Sequence, residues 1–250
     1  MHCDGINDPL VSVCVLCYGD HLELVQRSLA SVLRYCPESQ CRVIVGANAP
    51  SKRLAGFVRE LSVAGRLHDL IISETNLNKC PMMRRMFDKV RTEFIWWFDD
   101  DSYITEPSAL AIWLDHAVNS PAETVMWGQL NWCDSTIGFC HFNERATLGF
   151  VRAASWYRGL PPPSWRPGGK GDFNFRGGGT GDGRWNYLAG GCWMIRTTAV
   201  RALDWPDPRL VKMGDDTFLG EAIRQQGWEI MDNGSPGVAI NTAPRRGDPG

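Results

Sequence analysis

Residues 94–101 read FIWWFDDD, five apolar side chains in unbroken succession followed by three aspartates. Alternate residues of a strand face opposite ways, so a strand with this sequence is apolar on both faces. That is the pattern of a central strand in a parallel sheet covered on both sides. The aspartates then stand at its carboxyl end, the edge where open α/β sheets bind ligands. Like charges this close repel by about 1 kcal/mol per pair in water and several times more when partly desolvated. Something positive is expected among them.

Working outward, the chain alternates strands and helices. VSVCVLC (11–17) is a buried strand, and Leu22, Val25, Leu29 and Leu33 give helical spacing up to Pro37. CRVIV (41–45) and LHDLIIS (67–73) read as strands around a helix at 52–65. Asn78 and Pro81 mark a helix start, with Met82, Met83, Met86 and Val90 on one face. After the strand at 93–98, a helix is predicted at 108–118, strands at 124–132 and 187–195, and a helix at 215–226 stopped by Gly227. This rhythm predicts an α/β, Rossmann-like single domain over 1–242, with a mostly parallel sheet and helices on both faces. Its first half is about 10–105 and its second about 106–242; 243–250 is predicted to be a disordered tail.

Composition excludes several classes. The net charge is −2, so no polyanionic partner is implied by the whole-molecule field. The 250 residues hold no apolar run long enough to span a membrane, and MHCDGINDPL lacks the plan of a secretory leader, so a cytoplasmic protein is expected. Of nine cysteines, Cys14 and Cys17 form C-x-x-C, but three apart on a strand they face opposite ways. Buried free thiols are the expectation, not zinc. There is no G-x-G-x-x-G after the first strand and no P-loop, which argues against dinucleotide oxidoreductases and P-loop enzymes.

On a strand end, Asp99 and Asp101 share a side and Asp100 faces away. Oxygen-only ligands suit Mg²⁺ or Mn²⁺, which typically use one or two carboxylates plus substrate phosphates, so a metal-bridged diphosphate is the expected ligand. A second acidic pair, Asp215 and Asp216, opens the helix at 215. One Asp suffices as a cap, so the pair points to a general base as well.

Taken in order, VSVCVLCYG, VIVGANAPS, EFIWWFDDDS, LAGGCWMIRTTAV and GDDTFLGEAIRQQGW resemble the family-2-type glycosyltransferases of the GT-A fold, over roughly 10–230. The resemblance implies a nucleoside-diphosphate sugar donor held by the half at about 10–105, an acceptor held by the half at about 106–242, and inversion at the anomeric carbon. It implies that Asp99, Asp100 and Asp101 form the DXD-type motif for Mn²⁺ or Mg²⁺, with Asp101 the direct ligand. It further implies that Asp216, beside Asp215, is the base, that Cys17, Tyr18 and Gly19 lie by the nucleotide, and that Ala189, Gly190 and Gly191 line the acceptor side. The chain departs from the pattern in two places. Asn48 stands where an acidic base-reading residue is usual, and after Trp228 there is no His to complete the metal site, leaving Asn241 as nearest candidate. Arg84 and Arg85 are candidates for holding the departing diphosphate or are surface charge.

The stretch 145–185 has ten Gly, seven Arg or Lys against two Asp, and seven aromatics. It is predicted to be a long loop. Arg and aromatics suit sugars or a nucleic-acid strand, so the acceptor is a glycan, lipid or protein, or DNA bearing a hydroxymethylated base. Aspartyl phosphatases carry D-x-D after the first strand, and nucleotidyltransferases a Gly-rich basic loop there; both are disfavoured.

Overall fold

The computed structural model describes residues 9–132, 149–160, 186–211 and 215–240. The chain runs β1 (Val11–Tyr18), α1 (Leu22–Tyr35), β2 (Cys41–Asn48), α2 (Lys52–Val63), β3 (Asp69–Ser73), α3 (Lys79–Phe87) and β4 (Phe94–Asp99). Then come β5 (Ser102–Ile104), α4 (Ala109–Asn119), β6 (Thr124–Trp132), β7 (Asn186–Arg196), α5 (Thr197–Leu203), α6 (Asp215–Gln225), β8 (Glu229–Asp232) and β9 (Val238–Ile240). Seven strands form one sheet in the order β3-β2-β1-β4-β7-β6-β8. Neighbours pair parallel except β7, which runs antiparallel to both β4 and β6. β5 and β9 form a second, two-stranded antiparallel sheet.

The period-2 reading of the central strands holds residue by residue. Val13, Val15, Cys17, Trp96 and Phe98 join α1, α2 and α4 in one apolar cluster. Cys14, Leu16, Ile95 and Trp97 join α3, α5 and α6 in the other. The paired tryptophans are what make β4 central. Trp96 packs on Trp113, ring centroids 5.2 Å apart, while Trp97 stacks on Trp193 at 5.7 Å through the opposite face. Each such buried side chain contributes roughly 1.5–3 kcal/mol of apolar transfer. Helix α3 can lie close on β2 because residue 46 is Gly: a Cβ there would stand 2.3 Å from the Met86 sulfur.

The C-x-x-C motif is structural. Cys14 and Cys17 lie in opposite clusters, both fully buried, and burial pushes both thiols up. The six cysteines among the described residues are all free and buried; Cys3, Cys133 and Cys140 lie outside them.

The loop expected over 145–185 is corrected where it is described. Residues 149–152 form a helical turn, and Val151, Ala154 and Trp156 are buried in the α3/α5/α6 core. Trp156 donates to Asp207 Oδ2 at 3.1 Å, and Phe150 packs on Phe218 at 4.6 Å. Apolar residues spaced through 150–156 outweigh the Gly content that follows. The rest of that stretch, Asn241 and the 243–250 tail lie outside the described residues. Among the described residues no helix is long and apolar enough to cross a membrane.

Candidate active site

Registers bring the candidate residues to one edge. Tyr18 pairs with Asn48 and Leu16 with Asp99, so β1, β2 and β4 all deliver their last residues to the same side, at the point where strand order reverses. A cavity of about 210 Å³ opens there, lined by Leu16, Tyr18, Asn48, Asn76, Asn78, Lys79, Asp99 and Asp100. Tyr18 is half exposed and Gly19 turns the chain with φ +57°. Cys17 is corrected: its side chain is sealed in the core, so only its backbone reaches the edge.

The acidic triplet is divided among three environments. Asp99 Oδ1 accepts from Trp97 Nε1 at 3.0 Å, and Oδ2 from Lys79 Nζ at 3.1 Å. Asp100 is buried, with Oδ2 3.1 Å from His21 Nδ1, which ties the turn to the start of α1. Because β4 ends at Asp99 and Asp100 and Asp101 form a turn, the strand alternation that set Asp101 beside Asp99 does not extend to it. Asp101 is still close enough to help raise the Asp99 pKa.

The residue that sequence reasoning missed is Lys79, the first residue of α3. Its ammonium lies 3.1 Å from Asp99 Oδ2, 3.1 Å from Asp215 Oδ2 and 3.4 Å from the Gly190 carbonyl. Its side chain is 21% exposed. Burial pulls its pKa down, but Asp215 and Asp99 outweigh that and hold it above the ordinary value. Its signal in the sequence was a cation at a helix start, where the helix dipole disfavours positive charge. Such a charge needs a compensating anion nearby.

Arg84 is not brought to the carboxylates. Its guanidinium binds the Asp204 carboxylate and the Asp204 and Pro206 carbonyls, joining α3 to the end of α5. Among the described residues, Lys79 is the cation in contact with Asp99 and Asp215. Asp215 and Asp216 occupy the first turn of α6 as expected. Asp216 Oδ1 accepts from the Thr217 N–H at 2.8 Å, so this carboxylate does satisfy a helix-start donor. Its pKa is pushed up to about 6 by burial and then by Asp215, against the pull of Lys79. Asp99 is likewise raised to about 6, by burial first, with Asp215 and Asp101 adding to it and Lys79 opposing.

Gly190 and Gly191 let these parts meet. A Cβ on Gly190 would stand 3.3 Å from Asp216 Oδ2 and 3.6 Å from Lys79 Nζ. One on Gly191 would stand 3.1 Å from Ser102 Oγ, whose hydroxyl donates to the Gly191 carbonyl at 2.8 Å. Among the described residues no three His, Cys, Asp or Glu side chains form a ready metal cage.

A central, mostly parallel core, a topological switch point and two acidic groups joined by a lysine define a ligand-binding α/β domain. The family model "Glycosyl transferase family 2" matches residues 12–203, and the chain belongs to that family. Its fold is GT-A. It is similar to the solved structure of the mannosyltransferase PcManGT from Pyrobaculum calidifontis in complex with GDP-Man and Mn²⁺, with TM-score 0.63 and 14% identity over 96% of this chain and 58% of that one. It is also similar to S. aureus TarS 1–349 (TM-score 0.56, 16% identity, 89% of this chain and 57% of that one). The complex of TarS 1–349 with UDP-GlcNAc aligns with TM-score 0.57 and 14% identity, covering 94% and 59%. The chain therefore spans under three-fifths of the length of these structures, and at such identities the likeness is one of fold. No curated protein matches it in sequence.

Proposed function

We propose that the chain transfers a sugar from a nucleoside-diphosphate sugar to a hydroxyl of a glycan, lipid or protein acceptor, with inversion. The observation that carries this reading is Lys79, whose one ammonium lies 3.1 Å from both Asp99 and Asp215. It fuses the strand end that faces the cavity with the helix start that bears the base. The donor lies along the cavity with its diphosphate toward Asp99 and Lys79. The acceptor approaches past Gly190, where there is no side chain between it and Asp216. Asp216 takes the hydroxyl proton as the acceptor oxygen bonds to the anomeric carbon. The bond from that carbon to the β-phosphate oxygen breaks, and its electron pair leaves on the nucleoside diphosphate.

Charge decides what else is needed. Among the described residues, Asp99, Asp215 and Asp216 against Lys79 make a net negative group when ionised, which repels a diphosphate. The oxygen-only donor set fits Mg²⁺ or Mn²⁺ held jointly by protein and phosphate. Asp101 would hold it, with Asp99 behind, already tied to Lys79 and Trp97. Such an ion supplies neutralisation of the diphosphate and of the charge left on it as it departs. Incubation with a panel of sugar nucleotides and Mn²⁺ tests the reading. Release of nucleoside diphosphate from one donor is expected; the absence of both release and binding across the panel overturns it.

A further inference from the structure

His21 stands at the N-cap of α1, yet its side chain does not cap that helix. Ser, Thr, Asp and Asn cap well because a short side-chain oxygen reaches back to the first helix N–H groups. A histidine there is spent on something else. Its Nδ1 lies 3.1 Å from Asp100 Oδ2, a contact between residues 79 apart in the chain. An ionised carboxylate only accepts, so Nδ1 carries the hydrogen and donates it. Both groups lie inside: the Asp100 side chain is 3% exposed and that of His21 10%. A carboxylate buried this far is costly without such a partner.

This contact is the first of three by which α1 and its cap grip the segment after β4. Arg27 lies over the Tyr103 ring, 4.0 Å from its centroid, and Ser31 Oγ accepts from the Ile104 N–H at 2.9 Å. The helix is itself fixed, with Val25, Leu29 and Val32 fully buried. From the other side, the Ser102 hydroxyl is tied to the Gly191 carbonyl of β7. Asp101 is therefore flanked by two anchored residues, Asp100 on the start of α1 and Ser102 on β7. Asp99 still belongs to β4, so the backbone angles of residue 100 decide where the Asp101 carboxylate points.

We infer that His21 is a positioning residue for the metal-bound diphosphate. It latches Asp100, and the latch sets the turn so that Asp101 is presented in one orientation. The middle aspartate of the triplet is then internal structure and not a ligand. The inference rests on the reading above, in which Asp101 holds a divalent ion jointly with the donor.

The test is calorimetric titration of GDP, UDP, CDP and ADP into the full chain, with Mn²⁺ and with EDTA in its place. The quantity read is the gain in affinity that Mn²⁺ brings, which a variant damaged only in its fold would not change. For the wild type and its tightest nucleotide, the gain is expected to exceed ten-fold. His21→Ala removes the latch and is expected to keep less than one-tenth of that gain. Asp100→Asn keeps an oxygen to accept from His21 and discards the charge a metal ligand would supply, so it is expected to keep more than one-tenth. Thermal unfolding reports whether each variant is folded; should His21→Ala not fold, Asp100→Asn decides alone. More than one-tenth kept by His21→Ala, or less by Asp100→Asn, overturns the proposal and leaves the glycosyltransfer reading standing. A wild-type gain below ten-fold overturns the proposal together with the metal. Binding of none of the four nucleotides overturns the donor reading as well.

Discussion

Replacing Lys79 with Met keeps most of the side-chain volume and removes the ammonium. Two carboxylates, each 3.1 Å from it, then lose their partner. At an effective dielectric of about 20, each such pair is worth roughly 5 kcal/mol before desolvation is subtracted. Breaking a buried pair typically costs about 3–5 kcal/mol. One-fifth exposure of the side chain puts this site at or below the lower end. The carboxylates also have an escape. Asp99 already has a pKa of about 6 with Lys79 opposing the rise, so it takes up a proton for about 1.4 kcal/mol at pH 7.

The net loss expected for Lys79→Met is therefore about 2 kcal/mol at pH 8, read by urea unfolding, and it should shrink toward pH 5.5. The sign follows from linkage. Removing Lys79 raises the folded pKa of Asp99 further above its unfolded value near 4. A carboxyl raised in the fold favours the native state at low pH and loses that contribution as pH rises through its folded pKa. Transfer activity should fall at least 100-fold at every pH. A destabilisation equal at both pH values, or larger at 5.5, would refute the reasoning, because Lys79 would then be acting by packing and not by charge.

Four further outcomes are expected. Turnover should fall on the acid side with an apparent pKa near 6, the value to which burial and Asp215 raise Asp216, since the base must be ionised to act; a pH–rate profile reads it. Asp216→Ala should reduce transfer about 10²–10⁴-fold while calorimetry finds donor binding intact. Gly46→Ala drives a Cβ to 2.3 Å from the Met86 sulfur and should destabilise the domain by about 1–3 kcal/mol in urea unfolding. Trp156→Phe removes a buried donor to Asp207 and should lower stability by about 1–2 kcal/mol, with donor and DNA binding unchanged in titrations because this indole faces the core.

Much of the fold was legible because its signals are local. FIWWF is apolar on both faces, Pro37 and Gly227 end helices, and β6 was placed at its observed bounds, 124–132. Strand direction was not legible: NYLAGGCWMIR has the same period whichever way it runs, and β7 proved to be the antiparallel member. The strands SYI, EIMD and VAI are too short to show a period at all. In the site, the helix-start Asp215 and the strand-end Asp99 share Lys79, and both kinds of position are readable from local pattern. Lys79 was passed over because its partners lie 20 and 136 residues away, at separations no local pattern records. Trp156 was grouped with ligand-stacking aromatics because composition was averaged over a stretch whose first part packs and whose remainder is Gly-rich.

The Gly- and Arg-rich stretch is held at both ends by described residues. The Gln225 side chain clasps Leu160 from both ends of its amide, accepting from the Leu160 N–H at 3.2 Å and donating to its carbonyl at 3.0 Å. Downstream, Asn186 is pinned opposite Trp132 where β7 begins. Between these two fixed points the chain is covalently continuous, yet neither point belongs to the cavity or to β1–β4. A sequence exchange made between Leu160 and Asn186 would therefore leave both anchors with the contacts they have.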